Sequence, residues 1–234
     1  MPVITISGLF GSGANEVGAE VARRLNLDYV DRLLLAEAAR KLDATVAEVA
    51  EQAERPVGFG DRVSSFARTV LERSALAGSG ADPYFGGGMD MLLVREYRDI
   101  PEVKIGEGGS DQHLLEVLTT VTRELAQSGR ALIIGRGANM VLRDWPGALH
   151  VGAIAERPTR VQRVMERERL GTTEEGERYI DENDKGRTAF YQRFFGTNPQ
   201  DPRGYNLMVN TDRMSIDQAS DLVVAAQEII GHAG

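Results

Sequence analysis

Val3-Ile4-Thr5-Ile6-Ser7-Gly8-Leu9-Phe10-Gly11-Ser12-Gly13-Ala14-Asn15-Glu16 is the stretch that decides the fold. Val3 to Ser7 is short, apolar and β-branched, and it stops at Gly8, as a buried strand does. Beyond Glu16, the residues Val17, Val21, Ala22 and Leu25 share one side of a helix. Between strand and helix, Gly8, Gly11 and Gly13 let the backbone turn tightly and approach a ligand closely. The free N–H groups and dipole at the start of the helix favour an anion there. Three glycines in six residues are more than a plain strand-to-helix turn requires, so the turn is predicted to bind phosphate.

Two phosphate-binding templates fit this turn in part. The P-loop pattern G-x-x-x-x-G-K-[ST] registers on Gly8 and Gly13. Its lysine is Ala14 here, and its hydroxyl is Asn15, or Glu16 if one more residue intervenes. The dinucleotide template places Asp31 about right for a ribose hydroxyl, but its G-x-G-x-x-G spacing fails at Glu16. The turn alone leaves both open.

Working outward, strands alternate with helices. Leu27 to Val30, Ala131 to Ile134, Ala148 to Ile154 and Leu207 to Val209 read as strands. Residues 33–42, 45–51, 62–76, 112–127, 157–168, 174–195 and 215–230 read as helices, with Ser215 as an N-cap. This alternation predicts right-handed crossovers and a mainly parallel sheet with helices on both faces. Gly78 to Gly109, rich in Gly with Pro83 and Pro101, reads as a loop-rich insertion; a linker between two domains is the alternative.

Composition narrows the function. The 234 residues include 27 basic side chains, of which only Lys41, Lys104 and Lys185 are lysines, and 35 acidic ones, for a net charge of -8. There is no Cys, which excludes thiolate zinc sites, disulfides and a cysteine nucleophile. Three scattered histidines make a His-built metal site a poor reading, and no metal ligands are assigned. The acidic balance argues against a nucleic-acid partner. No apolar run approaches the ~20 residues of a membrane span, and the start lacks a signal peptide, so the expectation is a cytoplasmic protein with no membrane partner.

Two further features point to phosphate. Arg157, Arg160, Arg163 and Arg167 recur at three- and four-residue steps and share one side of a helix, with Arg178, Lys185, Arg187 and Arg193 downstream. Interleaved Glu156, Glu166 and Glu168 also suit an ordinary solvated face. Arginines closing over a transferring phosphoryl group would stabilise its charge. Arg136, between Gly135 and Gly137, ends a buried strand, where an open α/β sheet meets its ligand; a surface arginine after a turn is the plainer reading.

In order along the chain, these residues resemble the nucleoside monophosphate kinases, and most closely the cytidylate kinase-like proteins. The matches are Ile4-Thr5-Ile6-Ser7 into Gly11-Ser12-Gly13, Tyr29-Val30-Asp31-Arg32, and Ile133-Ile134-Gly135-Arg136-Gly137-Ala138. They continue through Leu149-His150-Val151, Arg160 with Arg163 to Glu168, Asp184-Lys185-Gly186-Arg187 with Tyr191, and Tyr205-Asn206-Leu207 to Asn210-Thr211. The resemblance implies an α/β, three-layer P-loop NTPase-type fold with a mostly five-stranded parallel sheet. Residues 1–54 and 111–234 would form the core, with an arginine-bearing lid at about 168–204. Residues 55–110 would be a glycine-rich, helical insertion that covers the monophosphate.

The resemblance also assigns roles. Gly8, Gly11, Ser12, Gly13, Ala14, Asn15 and Glu16 would hold the donor, ATP with Mg²⁺. Asp31, Arg136 and Arg163 would bind the acceptor, CMP, dCMP or a related small phosphate. Lys185, Arg187 and Arg160 would act on the transferring group. Cytidylate kinases proper carry Gly-Lys-Gly-Thr where this chain has Gly13 to Glu16, and an acidic residue where it has Ile134. Three functions are therefore in play: a phosphotransferase, a catalytically weak nucleotide-binding regulator of the same fold, and a dinucleotide enzyme. The Phe194-Phe195 pair and the insertion leave a homodimer open.

Overall fold

The computed structural model describes residues 2–31 and 111–231. The expected helices at 33–42, 45–51 and 62–76, the insertion at 55–110, and its boundary with the core lie outside the described residues.

In chain order the described elements are β1 (Val3–Gly8), α1 (Ala14–Leu25), β2 (Asp28–Val30), α2 (Asp111–Gln127), β3 (Ala131–Ile134) and α3 (Ala138–Val141). There follow β4 (Ala148–Ile154), α4 (Arg157–Glu168), α5 (Thr173–Phe195), a 3₁₀ turn (Pro202–Gly204), β5 (Leu207–Asn210) and α6 (Ile216–Gly231). All strands are parallel, in the order β2-β3-β1-β4-β5. A dinucleotide-binding sheet runs 3-2-1-4-5-6, so that reading of Asp31 loses its scaffold.

Parallel strands buried on both faces are apolar throughout rather than alternating. Ile4, Ile6, Leu132, Leu149 and Val151 face α1 and α6, where they meet Val17, Val21, Ala219 and Val223. Val3, Ala131, Ile133 and Ala148 face the other way, onto Val117, Val121 and Leu125 of α2 and Leu142 beyond α3. Each fully buried side chain of this size contributes about 1.5–3 kcal/mol, so the two layers fix the sheet. His150 is buried among them: its Nε2–H donates to the Leu142 carbonyl at 3.1 Å and its Nδ1 accepts from the Thr5 hydroxyl at 2.8 Å.

The helix signals in the sequence work as local physics requires. Ser215 accepts from the Gln218 N–H at 3.2 Å while Gln218 Oε1 accepts from the Ser215 N–H at 2.9 Å, so Ser215 caps α6 reciprocally. Thr172 and Glu175 form the same box at the start of α5. The short α3 carries no sequence periodicity that could announce it; four residues are too few. Among the described residues, no helix is long and apolar enough to cross a membrane.

Candidate active site

The carboxyl ends of β1 and β3, the start of α1 and the middle of α5 converge. Gly11 and Gly13 hold φ of 78° and 81°, the left-handed region in which glycine is unpenalised. Gly13 is the N-cap of α1 and supplies no side-chain cap, and the first backbone bond of the helix runs from Val17 N–H to Gly13 O at 3.0 Å. The N–H groups of Ala14, Asn15 and Glu16 precede that bond and have no acceptor within the helix. Ser12 Oγ is buried, has no partner among the described residues, and packs over Gly8, where a Cβ would lie 2.1 Å from it.

The turn is held from behind by α4 and α5. Phe10 N–H donates to Asp184 Oδ1 at 2.9 Å, and Arg160 Nη1 donates both to Asp184 Oδ2 at 2.6 Å and to the Phe10 carbonyl at 3.2 Å. The Phe10 ring packs into the small apolar cluster of Val161, Val164 and Ile180 between these helices, beside Tyr179 and under the Arg167 guanidinium. A Cβ on Gly11 would lie 2.6 Å from the Arg160 carbonyl oxygen, so the turn lies flat against the first turns of α4.

At the end of β3 the backbone passes through three successive left-handed residues, Gly135, Arg136 and Gly137, with φ of 72°, 49° and 72°. A non-glycine residue there costs on the order of 1 kcal/mol or more. Strain of that kind points to a constraint on where Arg136 is presented. Its Nε is buried without a partner among the described residues, and burial pushes the guanidinium pKa down. A Cβ on Gly137 would collide with Phe195, because α5 crosses directly above.

From α5, Arg187 Nη2 donates to Ser7 Oγ at 2.7 Å and its guanidinium stands 5.4 Å over the Tyr191 ring. Tyr191 OH donates to Asn139 Oδ1 at 2.7 Å, which leaves the Ser7 hydroxyl to donate to the Tyr191 oxygen at 3.4 Å. Arg187, Ser7, Tyr191 and Asn139 thus form one line of donors, and Asn139 Nδ2 continues it to the Gly204 carbonyl at 3.3 Å. Tyr205 lies next to this line; burial pushes its hydroxyl up to about 12. Arg187 Nε is buried and unpartnered among the described residues.

The structure therefore brings together Gly8 to Glu16, Arg136, Arg160, Arg163 and Arg187, with Asp31 following β2, the neighbour of β3. Lys185 is exposed, one residue past Asp184 and so about 100° around the helix from it. The sequence assigns no site role to Ser7, Asn139, Asp184 or Tyr191, although Ser7, Asp184 and Tyr191 fall within the stretches that carry the resemblance. Asp184, Arg187 and Tyr191 recur at steps of three and four, which is a one-sided helical pattern and the signal that could have found them. Among the described residues, no group of three or more His, Asp or Glu could hold a metal ion by itself. Asn15 and Glu16 offer one amide and one carboxylate ligand in the first turn of α1, a set that suits a magnesium ion arriving on phosphates, since Mg²⁺ takes one or two carboxylates plus substrate oxygens.

The model of the cytidylate kinase-like family matches residues 3–213. The chain belongs to the cytidylate kinase-like family. Membership supports a nucleotide kinase-like function. A crystal structure of an uncharacterized protein from Eubacterium ventriosum ATCC 27560 shares the fold, with a TM-score of 0.61 at 17% identity over 97% of this chain and 99% of that one. Shikimate kinase from Bacteroides thetaiotaomicron superposes with a TM-score of 0.45 at 15% identity, over 96% of this chain and 97% of that one. A curated relative, uronate isomerase from Corynebacterium glutamicum, is 33% identical over 105 residues, which is 44% of this chain and 20% of that protein. The chain thus matches about a fifth of the length of that relative.

Proposed function

We propose that the protein is a phosphotransferase that passes the γ-phosphoryl group of ATP to a cytidylate-type nucleoside monophosphate. The observation that carries this is a pair of guanidiniums, Arg136 and Arg187, each with a buried, unpartnered Nε among the described residues, at the strand ends where α1 begins uncapped. Buried cations without a counter-charge are costly, and a polyanion between the arginines and the helix start would offset that cost.

In this reading the N–H groups of the turn hold the donor phosphates, and Arg136 holds the acceptor phosphate. Arg187, oriented by Ser7 and Tyr191, stabilises the charge spread over the transferring group. The acceptor's phosphate oxygen bonds to Pγ as the bond from Pγ to the β–γ bridging oxygen breaks, and ADP leaves. Asp31 borders the acceptor side. Mg²⁺, when bound, neutralises phosphate charge, and Asn15 and Glu16 would hold it. Arg160 supports the turn through Asp184, and Lys185 stays peripheral.

Purified protein given ATP and Mg²⁺ with CMP, dCMP or UMP should release ADP. Arg136→Ala and Arg187→Ala should each lower kcat/KM by about 10²–10³, the scale of losing one aligned charge-stabilising donor, while Lys185→Ala changes it less than about ten-fold. Ala14 and Glu16 favour a second reading, nucleotide binding without turnover. ATP binding by calorimetry with no ADP formed from any monophosphate would select that one.

A further inference from the structure

Relative to the P-loop template, the start of α1 lacks a positive charge, because Ala14 stands at the lysine position, and it carries the Glu16 carboxylate in its first turn. A turn that holds several phosphate charges needs positive potential from elsewhere. Arg136 and Arg187 stand in front of it. Arg160 and Arg163 lie behind it.

Arg163 reaches the turn from α4. Its Nη1 donates to the Gly11 carbonyl at 3.3 Å and to Thr211 Oγ1 at 2.8 Å, and its Nη2 donates to the Thr211 carbonyl at 3.0 Å. Thr211 in turn donates to the Ser12 carbonyl at 2.9 Å, which ties the same turn to the end of β5. A Cβ on Gly13 would sit 3.3 Å from Arg163 Nη1, so the guanidinium rests against the N-cap of α1. Arg160, one helical turn earlier, has its charge cancelled by Asp184. The named partners of Arg163 are all neutral oxygens. Asp212, the acidic group facing it, is engaged with the Glu156 N–H and the Thr159 side chain, and it makes no ion pair with Arg163 among the described residues. The Asp212 carboxylate is close enough to feel the Arg163 charge and offsets it in part, without a direct hydrogen bond to it; a half-buried guanidinium bonded to neutral oxygens is therefore fixed on the carbonyl side of the turn, where water screens it weakly.

We propose that Arg163 supplies from behind the phosphate turn the positive charge that a P-loop lysine supplies from in front. It stabilises bound phosphate through the turn and does not touch it. This rests on the phosphate-binding reading of the turn. It also replaces the direct acceptor contact expected of Arg163 from the sequence with a positioning and electrostatic role.

The test is calorimetric titration of the full chain with inorganic tripolyphosphate at several ionic strengths. Each variant is first checked for a wild-type melting profile. Arg163→Gln should weaken binding about ten-fold or more, the scale of one weakly screened unit charge, and flatten the dependence of affinity on salt. Arg163→Lys should recover most of the loss. Ala14→Lys placed in the Arg163→Gln background should also restore affinity, which a purely structural role for Arg163 would not allow. Wild-type affinity and salt dependence in Arg163→Gln overturn the proposal. So does an Ala14→Lys change that tightens binding in the wild-type background but restores nothing in Arg163→Gln. If Ala14→Lys fails to fold, the salt dependence of Arg163→Gln decides alone. A wild-type chain that binds no tripolyphosphate overturns this proposal and the phosphotransferase reading together.

Discussion

Asp184→Ala should loosen the glycine-rich turn without touching its sequence. The carboxylate accepts from Phe10 N–H at 2.9 Å and from Arg160 Nη1 at 2.6 Å, and the two ionic side chains are only 18% and 7% exposed. Removing it leaves a charged group and a backbone donor without their acceptor. A charge-assisted hydrogen bond contributes about 1.5–3 kcal/mol, and stripping one partner from a buried ion pair costs about 3–5 kcal/mol. The two overlap, and the Arg160 bond to the Phe10 carbonyl survives, so the expected loss is about 3 kcal/mol. For a chain of this size that corresponds to a Tm lowered by about 6–12 °C. Asp184→Asn keeps an acceptor for Phe10 N–H and loses the charge, so it should cost about half as much. Urea unfolding of both variants, with Arg160→Ala and the double variant to close a cycle, measures the coupling. A cycle coupling below about 0.5 kcal/mol, or Asp184→Asn as damaging as Asp184→Ala, would refute the reasoning.

Two other perturbations test the fold. Burial holds the His150 imidazole below its ordinary value near 6.5, so its contribution is intact above that pH. It is lost as pH falls from 6.5 toward the folded value, because the unfolded chain then binds the extra proton, with a slope of up to about 1.36 kcal/mol per pH unit. Wild type and His150→Gln should differ in the pH slope of their urea midpoints between pH 7 and 5.5; parallel slopes would rule this out. Gly186 lies inside α5 with open space where a Cβ would go, so Gly186→Ala should stabilise by about 0.5–1 kcal/mol; a lowered urea midpoint would contradict it.

Much of this architecture is legible in the chain because its signals are local. The strands at Ala131–Ile134 and Ala148–Ile154 and the helices capped at Ser215 and Thr172 follow from periodicity and from residues three apart. The arginine repeat is different. Arg157, Arg160, Arg163 and Arg167 share a helix side as their spacing requires, yet each meets a different partner. Arg157 pairs with Asp181, Arg160 with Asp184, Arg163 with Gly11 and Thr211, and Arg167 with Glu168 and the Phe10 ring. Periodicity says which residues face the same way and nothing about what lies opposite. Lys185 shows the same limit: adjacency in sequence to Asp184 is a 100° rotation on a helix, and the side chain is exposed where Asp184 is packed against the turn.

By itself, the sequence determined that a strand, a glycine-rich turn and a helix open a parallel α/β sheet, and that the turn lacks a lysine at Ala14. Those are properties of residues within a few positions of one another. Only the tertiary structure decided what packs against that turn. The contacts that do so join Phe10 to Asp184 and Gly11 to Arg163, positions 174 and 152 residues apart. They exist because the sheet order sets α4 and α5 against the end of β1. A charge acts through distance in space and local dielectric, and neither quantity is written along the chain.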